Sequence, residues 1–85
     1  GPAQDLGSVS LYPVPTKHLL NVGNPQNLEL ESLQIFDLRG RLVQRADLRG
    51  MGSKRTLDVS TLGAAVYMVR IQGQNGTTTK RLVKE

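Results

Sequence analysis

The sequence predicts an all-β fold, built as a two-sheet antiparallel β-sandwich of about seven strands. Short apolar runs alternate with turn residues about every 8–12 positions, a spacing typical of a sandwich or small barrel. No window of about 12 residues keeps the helical period, so no long helix is predicted. The 85 residues suffice for one domain, which would bury only about 60–65% of its unfolded surface. We therefore expect a compact core with little room for a deep pocket.

The first two predicted strands lie on either side of a proline-rich segment. Residues 9–12 favour a strand, which ends at Pro13 and Pro15 because proline cannot donate a hydrogen bond to a sheet. Residues 20–22 alternate apolar and polar side chains and predict a second strand. The Gly, Asn and Pro residues within 23–27 then predict a loop.

A central strand and a hairpin come next. Residues 33–38 carry apolar side chains on both alternating faces, as a strand in the middle of a sheet does. Gly40 is expected in the left-handed region of a hairpin turn, where a Cβ would clash. Residues 41–45 resume the strand pattern, and a glycine-rich break at 50–53 separates them from a short strand at 56–59.

The strongest strand signal spans residues 65–72. By alternation, the residues expected to face the core are Tyr67, Val69 and Ile71. Asn75-Gly76 then favours a two-residue type I′ turn, which needs positive φ at both residues. Residues 77–84 are expected to pair antiparallel with 65–72, to lie at a sheet edge and to be the least securely held strand.

Charge is distributed unevenly along the chain. Residues 1–38 carry one lysine against four acidic residues, whereas residues 39–85 carry ten Lys or Arg against three. We interpret the basic half as a solvated strand face. Binding to single-stranded nucleic acid would want exposed aromatic side chains among the basic residues. Tyr12, Phe36 and Tyr67 are all flanked by apolar residues, so no nucleic-acid partner is predicted.

Little in the sequence points to catalysis. The chain has no cysteine and a single histidine, His18, which removes thiolate chemistry and leaves no histidine pair for a metal. Asp37, Asp47 and Asp58 each lie near a strand end, where Asp commonly accepts hydrogen bonds from nearby backbone N–H groups. We therefore predict no catalytic, cofactor or metal site and no enzyme activity.

The domain boundaries follow from the same patterns. Residues 1–2, Gly-Pro, are interpreted as a tag-cleavage scar and residues 3–7 as a linker, which leaves residues 8–85 as the domain. No apolar run approaches the roughly 20 residues needed to span a bilayer.

Four blocks of the sequence, taken together, carry a family resemblance. They are residues 9–16 with Tyr12, Pro13 and Pro15, residues 33–43 with Asp37, Gly40 and Arg41, residues 58–71 with Tyr67, Val69 and Ile71, and residues 76–84. In this order and spacing they resemble the type A C-terminal sorting domain of type IX secretion, the Por secretion system tail domain of Bacteroidetes-type bacteria. Val14 departs from the usual Asn. Ala65 departs from the usual Gly, at a position where positive φ would strain Ala.

The resemblance implies an immunoglobulin-like sandwich that acts as an export signal. It implies as partners the type IX outer-membrane translocon and its shuttle protein, followed by a sortase-like peptidase. The implied route runs through the periplasm to the outer membrane and cell surface, or into the medium. The signal is expected in the final strands, at Gly76, Thr79, Lys80, Arg81, Leu82, Val83 and Lys84.

Two other interpretations accompany this one. An edge strand that opens permits a strand-swapped homodimer. The alternative function is a generic immunoglobulin-like adhesion or carbohydrate-binding module, which would want exposed aromatic residues for sugar stacking, and we expect none here.

Overall fold

Seven strands make up the regular structure of residues 6–85, the part of the chain that the computed structural model describes. In chain order they are β1 Ser10–Tyr12, β2 Leu19–Gly23, β3 Leu30–Phe36, β4 Leu42–Asp47, β5 Lys54–Asp58, β6 Ala65–Gly73 and β7 Thr77–Lys84. The predicted all-β fold is therefore confirmed. The central strand β3 begins three residues earlier than predicted and ends before Asp37, which belongs to the following turn.

The strands form two antiparallel sheets, one in the order β1-β2-β5 and the other in the order β4-β3-β6-β7. In the lettering used for immunoglobulin domains these are A-B-E and C′-C-F-G. The corner before β6 carries a second signature of that fold, because the Tyr67 hydroxyl donates a 2.7 Å hydrogen bond to the Gly63 carbonyl four residues upstream. The domain is an immunoglobulin-like β-sandwich.

The core lies between the two sheets. Leu20 and Val22 of β2 face Leu33 and Ile35 of β3 across it, and all four are fully buried. Alternation along β6 holds as predicted, with Tyr67 only 7% exposed and Val69 and Ile71 fully buried. Because one face of each sheet is covered this way, the register of each strand is strongly specified.

The turn between β6 and β7 was predicted wrongly in type. The strands pair as far as Gln72 and Thr77, so the connection has four residues rather than two, and it is closed by a bond from the Gly73 N–H to the Gly76 carbonyl. Neither Asn75 nor Gly76 has positive φ. A four-residue loop is most often built on a type I turn, which needs no left-handed residue.

Two further expectations are corrected. Ala65 begins β6 without positive φ, so the backbone strain anticipated there is absent. Tyr12 is 42% exposed rather than part of the core. The reason is its place in an edge strand of three residues, where it lies over Gly23 on the outer face while Leu11 packs against the core.

The N-terminal boundary involves residues on both sides of the described region. The predicted scar at residues 1–2 and residues 3–5 of the predicted linker lie outside the described residues. Leu6, in the same predicted linker, is 3% exposed and belongs to the core cluster, where its side chain would touch a Cβ placed on Gly73. The packed structure therefore includes at least Leu6, while the boundary itself stays a prediction.

Candidate functional site

Strand β7 is an edge strand of the four-stranded sheet, as the sequence predicted. Its side chains alternate between the two faces. Leu82 is fully buried opposite Tyr67, and Val83 is half-buried opposite Val66 on the other face. Thr79 and Arg81 are exposed. The candidate recognition residues are thus divided, since some are accessible on the surface whereas Leu82 is part of the core.

Part of the β7 edge is covered by Thr16. The Thr16 N–H donates to the Val83 carbonyl at 2.9 Å, and the Glu85 N–H donates to the Thr16 carbonyl at 2.8 Å. Thr16 is 2% exposed, and its hydroxyl donates to the Leu19 carbonyl. This Thr16 bridge ties the segment after the prolines to the C-terminal end of β7, a parallel contact beside Lys84. The C-terminal half of β7 is therefore anchored along its outer edge.

The other half of the β7 edge is open. In an antiparallel pair, the backbone groups of successive residues point alternately toward the partner strand and away from it. Val83 and Glu85 point away from β6, because both bond to Thr16. Residues of the same parity, Thr77, Thr79 and Arg81, therefore present their N–H and C=O groups outward. No strand among residues 6–85 pairs with them on that side.

Lys84 and Lys80 lie on the inward-facing side of β7. Lys84 is only 7% exposed, and its Nζ donates a 3.0 Å hydrogen bond to the Glu85 carbonyl. Lys80 is half-buried opposite the fully buried Val69. Gly76 lies in the preceding turn. Of the seven candidate recognition residues, Thr79 and Arg81 are the ones whose side chains and backbone groups are both accessible.

The Asp37 turn has the geometry that the sequence motif suggested. The Asp37 Oδ1 atom accepts the N–H groups of Arg39 and Arg41 at 2.9 and 3.0 Å, and its Oδ2 accepts the Arg41 Nε–H at 3.0 Å. Hydrogen bonds from Arg41, its backbone N–H first, hold the pKa of Asp37 below its ordinary value. Gly40 has φ of 87°, as predicted. These contacts stabilise the turn.

Asp47 and Asp58 are also turn residues. The Asp47 Oδ1 accepts the Arg49 N–H at 3.0 Å and the Asp58 Oδ1 accepts the Ser60 N–H at 2.9 Å. Hydrogen bonds from Arg49 and from Ser60, respectively, lower the pKa of each carboxyl. Their expected role in turn chemistry is confirmed.

Sequence reasoning missed two buried polar residues that fix the loops around the site. Thr16 is one, and Asn24 is the other. Asn24 is fully buried, and its Nδ2 donates to the carbonyls of Leu28 and Gly52 while its Oδ1 accepts the Leu28 N–H. The Asn24 bonds to Leu28 span only four residues, but no local pattern shows that Asn24 and Thr16 are buried, because the bonds to Gly52 and Val83 join distant parts of the chain.

Within residues 6–85, no three His, Cys, Asp or Glu residues are grouped so that they could hold a metal ion. The same residues include no helix long and apolar enough to cross a membrane. What the site offers chemically is an open row of backbone hydrogen-bonding groups beside cationic side chains.

Comparison with known proteins identifies one family. The model of the family described as secretion system C-terminal sorting domain matches residues 10–85, which covers all seven strands. A search among curated proteins gives no match. The chain belongs to the secretion system C-terminal sorting domain family, and it therefore carries a C-terminal sorting signal for type IX secretion.

Proposed function

We propose that the outer-membrane translocon of type IX secretion, together with its shuttle protein, recognises this domain through the open edge of β7. The observation that carries the proposal is the outward-facing row of N–H and C=O groups at Thr77, Thr79 and Arg81. An exposed edge of this kind pairs readily with a strand from another chain. The added strand gains main-chain hydrogen bonds without any pocket in the sandwich.

The Thr16 bridge limits which part of the β7 edge a partner strand can pair with. Because Thr16 occupies the edge beside Val83 and Glu85, a partner strand meets free backbone groups only from Thr77 to Arg81. Five residues of antiparallel strand extend about 17 Å. The exposed guanidinium of Arg81 and the half-buried amine of Lys80 lie along this stretch and favour an acidic partner segment.

The remaining steps rest on family membership. Export across the outer membrane follows from the sorting signal, and we place the domain in the periplasm during transit. A sortase-like peptidase then acts on the exported protein, which stays at the cell surface or is released. Exchange of the same edge strand between two copies would give the strand-swapped homodimer.

The test uses two substitutions at one position. Thr79→Pro removes the outward N–H, which no residue of the described fold accepts, and proline is tolerated on an edge strand. Thr79→Val keeps that N–H and replaces only the hydroxyl, with a methyl group. Each version of the 85-residue chain is fused behind a periplasm-targeted reporter in a host with type IX secretion, and surface and medium reporter are measured.

We expect the wild-type and Thr79→Val fusions to be exported and the Thr79→Pro fusion to stay in the periplasm. Circular dichroism and urea titration of the isolated domains must show that Thr79→Pro remains folded. Export of a folded Thr79→Pro fusion at the wild-type level would refute recognition through the β7 edge. Retention of a folded, intact wild-type fusion would refute the sorting function itself.

A further inference from the structure

The outward face of the four-stranded sheet is ordered in rows. Since Leu33 and Ile35 point into the core, the neighbouring Gln34 and Phe36 point outward. Strand register places their partners on the same face. The outer arginine row consists of Arg45, Gln34, Arg70 and Thr79, and the outer apolar row consists of Leu42, Phe36, Met68 and Arg81, with Val66 and Val83 beside it.

The arginines of the two outer rows form no ion pair with a carboxylate of residues 6–85. The two ion pairs within residues 6–85 are Arg41 with Asp37 and Arg49 with Asp47. Arg45, Arg70 and Arg81 are exposed and take part in neither. Arg45 and Arg70 flank Gln34 across one strand, so their Cα atoms lie about 10 Å apart.

Gln34 leaves an acceptor without a partner at the centre of this row. Its Nε2 donates to the Ser32 hydroxyl at 2.9 Å, but its buried Oε1 has no hydrogen-bond partner among the described residues. Buried polar atoms in folded proteins are nearly always bonded. It is the one buried side-chain nitrogen or oxygen of the described residues that lacks a partner.

The outer apolar row is partly exposed. Leu42 is 48% exposed, and Phe36, Met68, Val66 and Val83 are half-buried. Arginine, methionine and aromatic residues are enriched at the centres of protein interfaces, where lysine is depleted. Membrane-surface segments instead bury a continuous apolar face at the boundary between headgroups and acyl chains, whereas Phe36 and Met68 are half-buried within the sheet surface.

From these observations we infer that the outward face of the four-stranded sheet is a docking surface for a protein. The partner presents carboxylates that pair with Arg45, Arg70 and Arg81, around an apolar patch that covers Phe36 and Met68. We assign this partner to the secretion machinery for two reasons. Its carboxylates would complement the arginines, and the proposed function, on which this inference rests, brings the domain to that machinery. The face adjoins the β7 edge and shares Thr79 and Arg81 with it, but it binds through side chains rather than through free backbone groups.

The experiment compares two double charge reversals with the same change in net charge. Arg45→Glu with Arg70→Glu alters the face. Lys54→Glu with Arg55→Glu alters exposed cations of β5 in the opposite sheet, at the cost of one exposed hydrogen bond to the Asp47 carbonyl. Binding of each domain to purified type IX translocon with its shuttle protein is measured by surface plasmon resonance. Vesicles containing anionic lipopolysaccharide form a second arm.

We expect the face variant to bind the translocon at least about tenfold more weakly than wild type, as charge repulsion across an interface requires, and the β5 variant to bind within about twofold. Urea titration must show both variants folded. Equal loss in both variants would indicate a general charge effect and overturn the assignment, as would unchanged binding of the face variant. A loss confined to the vesicle arm would assign the face to lipid and overturn it too. If wild-type domain does not bind the translocon, the proposed function fails and this assignment fails with it.

Discussion

Two turns of this domain have the same four residues, Asp-Leu-Arg-Gly, at 37–40 and at 47–50. In each, the Asp Oδ1 accepts the N–H of the Arg two residues on, at 2.9 and 3.0 Å. Each turn ends in a glycine of positive φ, 87° and 72°. The two leucines nevertheless differ in exposure, since Leu38 is 71% exposed and Leu48 is fully buried.

The difference comes from where each turn leads. The first joins β3 to β4, which are neighbours in one sheet, so its tip points away from the sandwich. The second leads from β4 to β5 in the opposite sheet, and the Leu48 N–H donates to the Glu31 carbonyl at 2.9 Å. Leu48 consequently lies in the core. Local sequence determines the turn, whereas the topology around it determines what the turn buries.

The largest effect expected from this comparison is on the two leucines. Leu48→Ala should lower the free energy of unfolding by about 2–5 kcal/mol, the usual cost of a cavity in a packed core. Leu38→Ala should change it by less than about 0.5 kcal/mol, as exposed substitutions do. Urea titrations measure both values. Comparable losses in the two variants would contradict the exposure of Leu38.

A second prediction concerns the two glycines, whose effects should be alike. A Cβ placed on Gly40 or Gly50 has no neighbouring atom within 4 Å, so only the positive φ opposes it. Left-handed backbone costs an L-residue about 1–2 kcal/mol, offset in part by the reduced entropy of the unfolded chain. Gly40→Ala and Gly50→Ala should each destabilise by about 1 kcal/mol. A difference larger than the experimental error would show that the surroundings contribute after all.

The same distinction explains what the sequence could predict. The bonds at Asp37 and Asp58 and the conformation of Gly40 span four residues or fewer, so local patterns suffice. Alternation likewise placed Tyr67, Val69 and Ile71 on the core face of β6. The Thr16 bridge, the buried Asn24 and the outer rows depend on which distant strands meet, and no local pattern carries that information. The β6–β7 turn shows that a local pattern can also mislead. Asn-Gly favours a two-residue type I′ turn, but the strands pair only as far as Gln72 and Thr77 and leave a loop of four residues.

The smallest expected effects are on the dependence of stability on pH, which the two aspartates share. Hydrogen bonds from the Arg41 backbone, above all, lower the pKa of Asp37, whereas the Arg49 side chain contributes most at Asp47. Both folded-state pKa values lie below the unfolded value of about 3.9. Each carboxylate therefore contributes stability that is fully present above about pH 4 and is lost as the pH falls through the folded-state pKa. Asp37→Asn and Asp47→Asn should each destabilise at pH 7, and urea titrations at a series of pH values should show the difference from wild type shrinking as the pH falls below about 4.

Salt should distinguish the two contributions at pH 7. The Arg49 side chain is 75% exposed and the Asp47 side chain 60%, whereas the Asp37 side chain is only 19% exposed. Screening weakens interactions between exposed charges more than it weakens short hydrogen bonds to backbone N–H groups. In 1 M sodium chloride, at a Debye length of about 3 Å, the effect of Asp47→Asn should shrink more than that of Asp37→Asn. Arg49→Ala is the control, since it removes the exposed partner and should leave little salt dependence at Asp47. Equal screening at both positions would mean that the Asp37 turn, too, is stabilised chiefly by its ion pair.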